Sequence, residues 1–344
     1  MKNSPRNLVL DTLNFDSPRG IPRQTWILPW AERRYGPWLQ EFRKTFPDDL
    51  VTAPAVYMNP PHLTGDKYAA GLFVDEWGCE FQNHHDGVMG IIRKPIIANW
   101  SDLQGFSPPT DILSLDREAV NSFCRNTDRF VLAGTWQRPL ERLQFIRTME
   151  QSMFDLIERP TELFELLKII DEFYLDEIDV WVSTDVDAIT LMDDWGTQTG
   201  MMISPEIFRE IFKPMYKRYA GIAHDHGKFV FMHSDGDILD IIPDLIEIGV
   251  DALNSQVFCM GPDELGRRFS GEITFWGEVD RQDILPHGSK DAVLQAVRSL
   301  REHLFQQGGV IAQCEFGLEA DPDNIWTVME EWDRISEDLK KHDR

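Results

Sequence analysis

No lysine- or arginine-rich run occurs in the 344 residues of this chain, and 34 basic side chains stand against 58 acidic ones, a formal net charge of -24. A phosphate backbone or an anionic membrane surface needs a positive face, so neither nucleic acid nor membrane is an expected partner. Long apolar runs are lacking too: no stretch approaches the roughly 18 uninterrupted apolar residues of a membrane span. The opening Met-Lys-Asn-Ser-Pro-Arg-Asn has no apolar core of signal-peptide length, and a cytoplasmic location is expected. Cysteine is scarce. Cys79, Cys124, Cys259 and Cys314 are scattered without any C-x-x-C spacing, in a chain too large to need disulfide staples, so free thiols are expected. Gly/Ser linkers, short repeats and low-complexity tracts are also missing. These absences imply one elaborated domain over residues 1–344, and with 42% hydrophobic residues it can bury a large core.

What is present changes texture along the chain. Residues 1–115 are irregular and rich in Pro, Trp and Gly, with short strand-like pieces such as Ala55-Val-Tyr-Met58 and Gly87-Val-Met-Gly-Ile-Ile92. They read as an N-terminal extension packed on the remainder of the chain. From 116 to 335, apolar runs alternate with amphipathic helical stretches: Phe130–Ala133, Ala188–Met192, Phe229–Met232, Asp251–Asn254, Ile273–Trp276 and Val310–Ala312. In the stretch Ile238 to Gly249, Ile241, Ile242, Leu245 and Ile248 share one helical face and Gly249 suits a C-cap. Strand and helix in turn imply a parallel sheet with helices outside, and the spacing of the later strands favours closure into an α/β TIM (β/α)₈ barrel.

Active sites of such barrels lie at the C-terminal ends of the strands. The residues there are Thr135 and Trp136, Asp193 and Asp194, His233 and Asp235, Asn254 and Gln256, Glu278 and Asp280, and Cys314 and Glu315. Helix capping accounts for Asp237 and Asp280. Imidazole caps poorly, so His233 asks for another explanation, and His, Asp and Cys on one rim form a donor set for Zn²⁺ with one position left open. Trp77, Trp136, Trp195 and Trp276 are candidates for lining a substrate pocket with Asn254, or else for packing at the barrel mouth. The adjacent His84-His85-Asp86 point to opposite faces of an extended segment and fit a solvated hairpin.

Several blocks together resemble the uroporphyrinogen decarboxylase superfamily, a TIM-barrel group of decarboxylases and zinc-dependent cobamide methyltransferases. They are Gly71-Leu-Phe-Val-Asp75-Glu-Trp-Gly78, Asp193-Asp194-Trp195-Gly196 leading into Ile203-Ser204-Pro205-Glu206-Ile-Phe208, Lys228 through Gly236, Ile246 through Ala252, Trp276-Gly277 and Pro322-Asp-Asn-Ile325. The resemblance implies a catalytic role at the barrel mouth for Asp75, where partial burial would make it an acid or the positioner of a cationic group, and supports Asp193 and Asp194 as catalytic residues. Decarboxylases of the group carry an Arg-rich Met-Arg-Gln-Ala-Gly-Arg-Tyr segment, whereas this chain has Leu28-Pro-Trp-Ala-Glu-Arg-Arg-Tyr35. They also carry His in the last strand loop, where Cys314 stands here.

Cys314 and His233 are similar to the methyltransferase branch, with Asp235 where a middle Cys would be. The resemblance thus implies a zinc site of His233, Asp235 and Cys314, with Glu315 as an oxygen donor. Alternatively, Asp235 orients His233 and Glu315 or Asp193 supplies the third ligand. The function implied is zinc-assisted methyl transfer between a small methoxylated or methylated substrate, or a thiol or folate acceptor, and a corrinoid (cobamide) carried by a partner protein. Metal-free decarboxylation of a tetrapyrrole or related carboxylate is one alternative. A non-catalytic ligand-binding barrel is the other.

Overall fold

A computed structural model describes residues 4–342. Eight parallel strands form the core sheet: β1 (Arg23–Ile27), β2 (Leu50–Thr52), β3 (Phe130–Leu132), β4 (Ala188–Met192), β5 (Phe229–Ser234), β6 (Ala252–Ser255), β7 (Thr274–Trp276) and β8 (Val310–Phe316). Their order is β1-β8-β7-β6-β5-β4-β3-β2, a nearly closed TIM barrel. Helices such as Thr161–Val182, Lys213–Asp225, Lys290–Leu304 and Pro322–His342 surround it. All six apolar runs are barrel strands. The helix expected before Gly249 forms over Ile242–Ile248, and Gly249 ends it at φ 95°, a left-handed cap that costs glycine little.

The barrel does not begin at 116. β1 and β2 lie inside the first third, so the boundary between extension and barrel moves back to Arg23. Neither strand is an apolar run. β1 alternates, sending Gln24 and Trp26 into the lumen, and β2 is three residues long. Over the barrel packs an antiparallel sheet of Gly71–Val74, Glu80–Asn83 and Ile91–Lys94. The expected strand at 55–58 is reduced to a single bridge from Tyr57 to Leu115.

Alternation along each strand divides the side chains into two sets. Phe130, Leu132, Ala188, Phe231, Ala252, Trp276 and Ile311 fill the lumen. Their neighbours, among them Met232, Ala312, Cys314 and Phe316, face outward into the larger layer between strands and helices. Two buried ion pairs tie the overlying segment down. Asp75 meets Arg142 Nη1 at 2.6 Å, and Arg147 grips Asp155 through Nε (2.8 Å) and Nη2 (3.1 Å) while donating to the Ile97 carbonyl.

Between β1 and β2 the barrel is closed by aspartates. Asp49 N–H donates to Arg23 O (2.9 Å), its carboxylate accepts from Arg23 N–H (2.8 Å), and Asp48 Oδ1 accepts from Thr25 N–H (2.9 Å). Burial pushes the Asp48 carboxyl from its ordinary 3.8 up to about 6, against the opposing pull of the Thr25 N–H and Arg129. The folded chain therefore holds this proton more tightly than the unfolded one. The resulting stability is complete below about 4 and is lost as pH rises through about 6. Asp48→Asn should flatten that part of the stability–pH curve, by less than about 3 kcal/mol because solvent still reaches the carboxyl. Urea unfolding at pH 4, 5, 6 and 7 checks it; parallel curves for the two proteins would refute it.

Candidate metal centre at the barrel mouth

The turns after β4 and β5 are zipped together. Asp235 N–H donates to Asp194 Oδ1 (3.0 Å) and Trp195 N–H to Ser234 Oγ (3.1 Å), while Gly196 N–H donates to Asp235 O (3.1 Å) and Asp237 N–H to Thr197 O (2.7 Å). No side chain fits this approach. A Cβ on Gly236, whose φ is +80°, would lie 2.2 Å from the carbonyl carbon of Gly196. The two glycines are thus what allows Asp194 and Asp235 to share one spot on the rim.

His233 stands between them at the end of β5, 6% exposed. Its Nδ1 is 2.6 Å from Asn254 Oδ1, and Asn254 Nδ2 donates to the Trp276 carbonyl. That carbonyl can only accept, so the amide nitrogen must face it and the amide oxygen must face the imidazole. Nδ1 is then the donor, and in the neutral ring Nε2 carries a lone pair. Nε2 faces Asp194 Oδ1 at 3.6 Å and Asp235 Oδ1 at 3.5 Å. Asp235 Oδ1 is buried and has no hydrogen-bond partner. One ligand atom from each of Asp194, His233 and Asp235 lies within 4.8 Å of the others. A lone pair aimed at two carboxylate oxygens is repelled by them unless a proton or a metal ion lies among them, so the neutral ring makes this spot a cation site. The nitrogen and two oxygens fit Zn²⁺ in a catalytic-type site and also harder divalent ions such as Mn²⁺.

The surroundings are acidic. Glu141, on the helix Pro139–Arg147, hangs over a cavity of about 340 Å³ lined also by Gln144, Asp194, Asp235, Gln256 and Arg281. Burial raises the carboxyl of Glu141, Arg138 opposes and Asp194 adds to the shift. Glu278 and Glu315 are raised by burial as well, in both cases against Arg281. A larger void of about 1030 Å³ lies at the other end, beside Arg23 and Asp49 where the strands begin. Barrel chemistry is done at strand C-termini, so the smaller cavity is the candidate site.

The pattern of the uroporphyrinogen decarboxylase (URO-D) family matches residues 72–335. The chain belongs to that family. Among solved structures it is similar to a methyltransferase from Methanosarcina mazei, at 17% identity and a TM-score of 0.68, covering 96% of this chain and 99% of that one. It is also similar to a D-psicose 3-epimerase (11% identity, TM-score 0.36, 65% and 82% covered) and to a GH113 β-1,4-mannanase (10% identity, TM-score 0.39, 94% and 99% covered). At 17% identity the likeness to the methyltransferase concerns the fold. No curated protein sequence matches the chain significantly.

Within this URO-D barrel the expected site residues part company. His233, Asp194 and Asp235 converge, with Asn254 behind the imidazole. Cys314 does not join them: in register with Thr25, it points out of the lumen, fully buried among the outward core residues. Burial pushes its thiol upward, away from the thiolate a metal requires. The parity of β8 explains this, because Glu315 pairs with the lumen residue Trp26 and Cys314 must face the other way. Glu315 does face inward, but Oε2 lies against Arg281 Nη1 at 3.3 Å. Asp193 is an anchor. It accepts from Leu140 N–H (2.8 Å), Glu141 N–H (2.7 Å) and the Tyr216 hydroxyl, holding the helix that carries Glu141.

Asp75 lies away from the cavity lining, with Oδ1 accepting from Trp77 and Cys79 N–H and Oδ2 bound to Arg142. Trp77 packs on Phe173 and under Arg142, and Trp195 packs on Phe208 and Phe212; both are core. Trp276 and Trp136 do belong to the lumen, grouped through Trp26 next to His233. Asp280 accepts from Gln282 and Asp283 N–H and so closes the turn before the short helix Ile284–His287 without capping it, its N-cap being Asp283, and His84, His85 and Asp86 are exposed. Trp26, Glu141 and Arg281 were not among the rim candidates. Trp26 sits on the alternating strand β1, and the other two lie three or more residues beyond a strand end.

Proposed function

We propose that this URO-D protein is a methyltransferase whose barrel mouth holds one divalent cation, zinc or a harder ion, between Asp194, His233 and Asp235. Its substrate is a small methylated compound or a thiol acceptor, and the other party is a corrinoid carried by a partner protein. The observation that carries the reading is the His233 Nε2 lone pair aimed between two carboxylate oxygens, one of them otherwise unpaired. A cation bound there supplies Lewis acidity to the heteroatom attached to methyl, or lowers the pKa of an acceptor thiol. Asn254 keeps the imidazole in the tautomer that binds a cation. Glu141, whose acid form burial favours, is placed beside Asp194 where a leaving heteroatom could take a proton. Trp26 and Trp136 exclude water below the imidazole.

The mouth argues against decarboxylation of a tetrapyrrole bearing many carboxylates, since Arg281, the one cationic side chain lining the cavity among the described residues, is already held by Asp235, Glu278 and Glu315. Chelator-stripped protein should take up one Zn²⁺ or Mn²⁺ per chain in calorimetry. The loaded protein should consume methylcobalamin in the presence of a small thiol, seen as loss of the methyl–cobalt absorbance. Absence of cation uptake excludes the metal reading.

Cys314→Ser is expected to retain the full cation stoichiometry and affinity, because the outward thiol is separated from His233 by the strand itself. Loss of the ion in that variant would restore the thiolate site implied by the sequence and displace the one described here.

A further inference from the structure

Arg281, on the loop after β7, meets carboxylates on three sides. Nη2 donates to Asp235 Oδ2, Nη1 lies 3.3 Å from Glu315 Oε2, and Nε lies 3.6 Å from Glu278 Oε1. Glu278 is 2% exposed and its Oε2 has no partner, so this end of the cluster is shut off from water. Three carboxyl groups at such close quarters cannot all stay ionised unless a cation lies among them: without one, at least one would take up a proton or turn outward. The guanidinium is rigid and planar, and its fork reaches all three at once.

The consequence for Asp235 is specific. Its Oδ2 is taken by Arg281, so Oδ1 is the oxygen left over, and Oδ1 is the atom 3.5 Å from His233 Nε2. Resting on the cation site proposed above, we propose that Arg281 is a positioning residue: it fixes the Asp235 carboxylate so that one oxygen alone is presented to the exchangeable cation. It also occupies the gap between Asp235, Glu278 and Glu315 that a second cation would otherwise fill.

Two effects of removing Arg281 have opposite signs, which makes the inference testable. A positive charge beside a cation site weakens binding by simple repulsion, so loss of charge alone would tighten it. Loss of orientation weakens it, by about 10–100-fold for a residue that supports a metal ligand. Calorimetric titration of chelator-stripped wild-type, Arg281→Gln and Arg281→Lys proteins with Zn²⁺ and with Mn²⁺ separates them, with melting of the cation-free proteins measured alongside.

Arg281→Gln is expected to bind about 10–100-fold more weakly, and Arg281→Lys to fall between it and wild type, since lysine keeps the charge but loses the fork. A purely structural role would lower the melting temperature and leave the affinity of folded protein unchanged. Wild-type or tighter affinity in Arg281→Gln overturns the inference while the cation site stands. If Arg281→Gln does not fold, Arg281→Lys decides, and affinity equal to wild type overturns it. No uptake by wild-type protein removes the cation site and this role together.

Discussion

Asp75→Ala should lower the stability of the fold by about 3–5 kcal/mol, the range for removing one partner of a buried ion pair and leaving the other charge uncompensated. Arg142 is 6% exposed, lies over the Trp77 ring and has Asp75 as its near partner at 2.6 Å, with Glu76 farther off at 3.4 Å. The lost carboxylate also takes away the acceptor for the Trp77 and Cys79 N–H groups, which shape the turn joining two strands of the overlying sheet. With an unfolding entropy scaled to 344 residues, the melting temperature should fall by about 4–7 °C. The pair Asp75→Leu with Arg142→Met should recover much of that loss, because neither charge remains to be desolvated. A catalytic aspartate would behave differently, leaving the melting temperature untouched while turnover vanished. Differential scanning calorimetry of the two variants beside wild type decides between them.

The fold was legible wherever the sequence repeats one physical device. Parallel strands buried on both faces are apolar runs, and each run from Phe130 onward is a barrel strand. β1 and β2 escaped because they are short or alternating, and their closure depends on Asp48 and Asp49 accepting from β1 N–H groups rather than on a continuous ladder. The site was legible to the same degree. His233 and Asp235 follow from the strand-end rule; Asp194, at the end of β4, was expected as a catalytic residue and not as a ligand. Cys314 failed on parity: which of two adjacent residues faces the lumen depends on register with a strand that could not be recognised, and Trp26 opposite Glu315 is what settles it. Asp75 and Asp193 were read as catalytic acids, and their partners in the structure, Arg142 and the Leu140 and Glu141 N–H groups, could not be read beforehand because they are 67, 53 and 52 residues away in sequence. Long-range pairing of that sort leaves no local pattern.

His233→Ala should abolish saturable cation uptake, an effect larger than the roughly 10–100-fold expected of supporting residues. The imidazole supplies the one nitrogen donor, and it holds the position between Asp194 Oδ1 and Asp235 Oδ1 from which both oxygens are reached. Asn254→Leu is the graded companion. With the acceptor for Nδ1–H gone, the imidazole can place its proton on Nε2 and turn away, and affinity should fall by about 10–100-fold while the ring itself remains. Stability gives an independent reading. A ligand that binds only the folded chain adds about 2.7 kcal/mol at 100 times its dissociation constant, which for 344 residues is a rise of about 4 °C in melting temperature. Wild type should show that rise with Zn²⁺ or Mn²⁺, Asn254→Leu should show it only at higher cation concentration, and His233→Ala should show none. Acid should weaken uptake in wild type, since a proton competes for the same lone pair. A cation-induced rise in His233→Ala equal to that of wild type would mean that the ion sits elsewhere, among the carboxylates Glu141, Glu278 and Glu315, and that the imidazole serves the mouth only as a proton carrier.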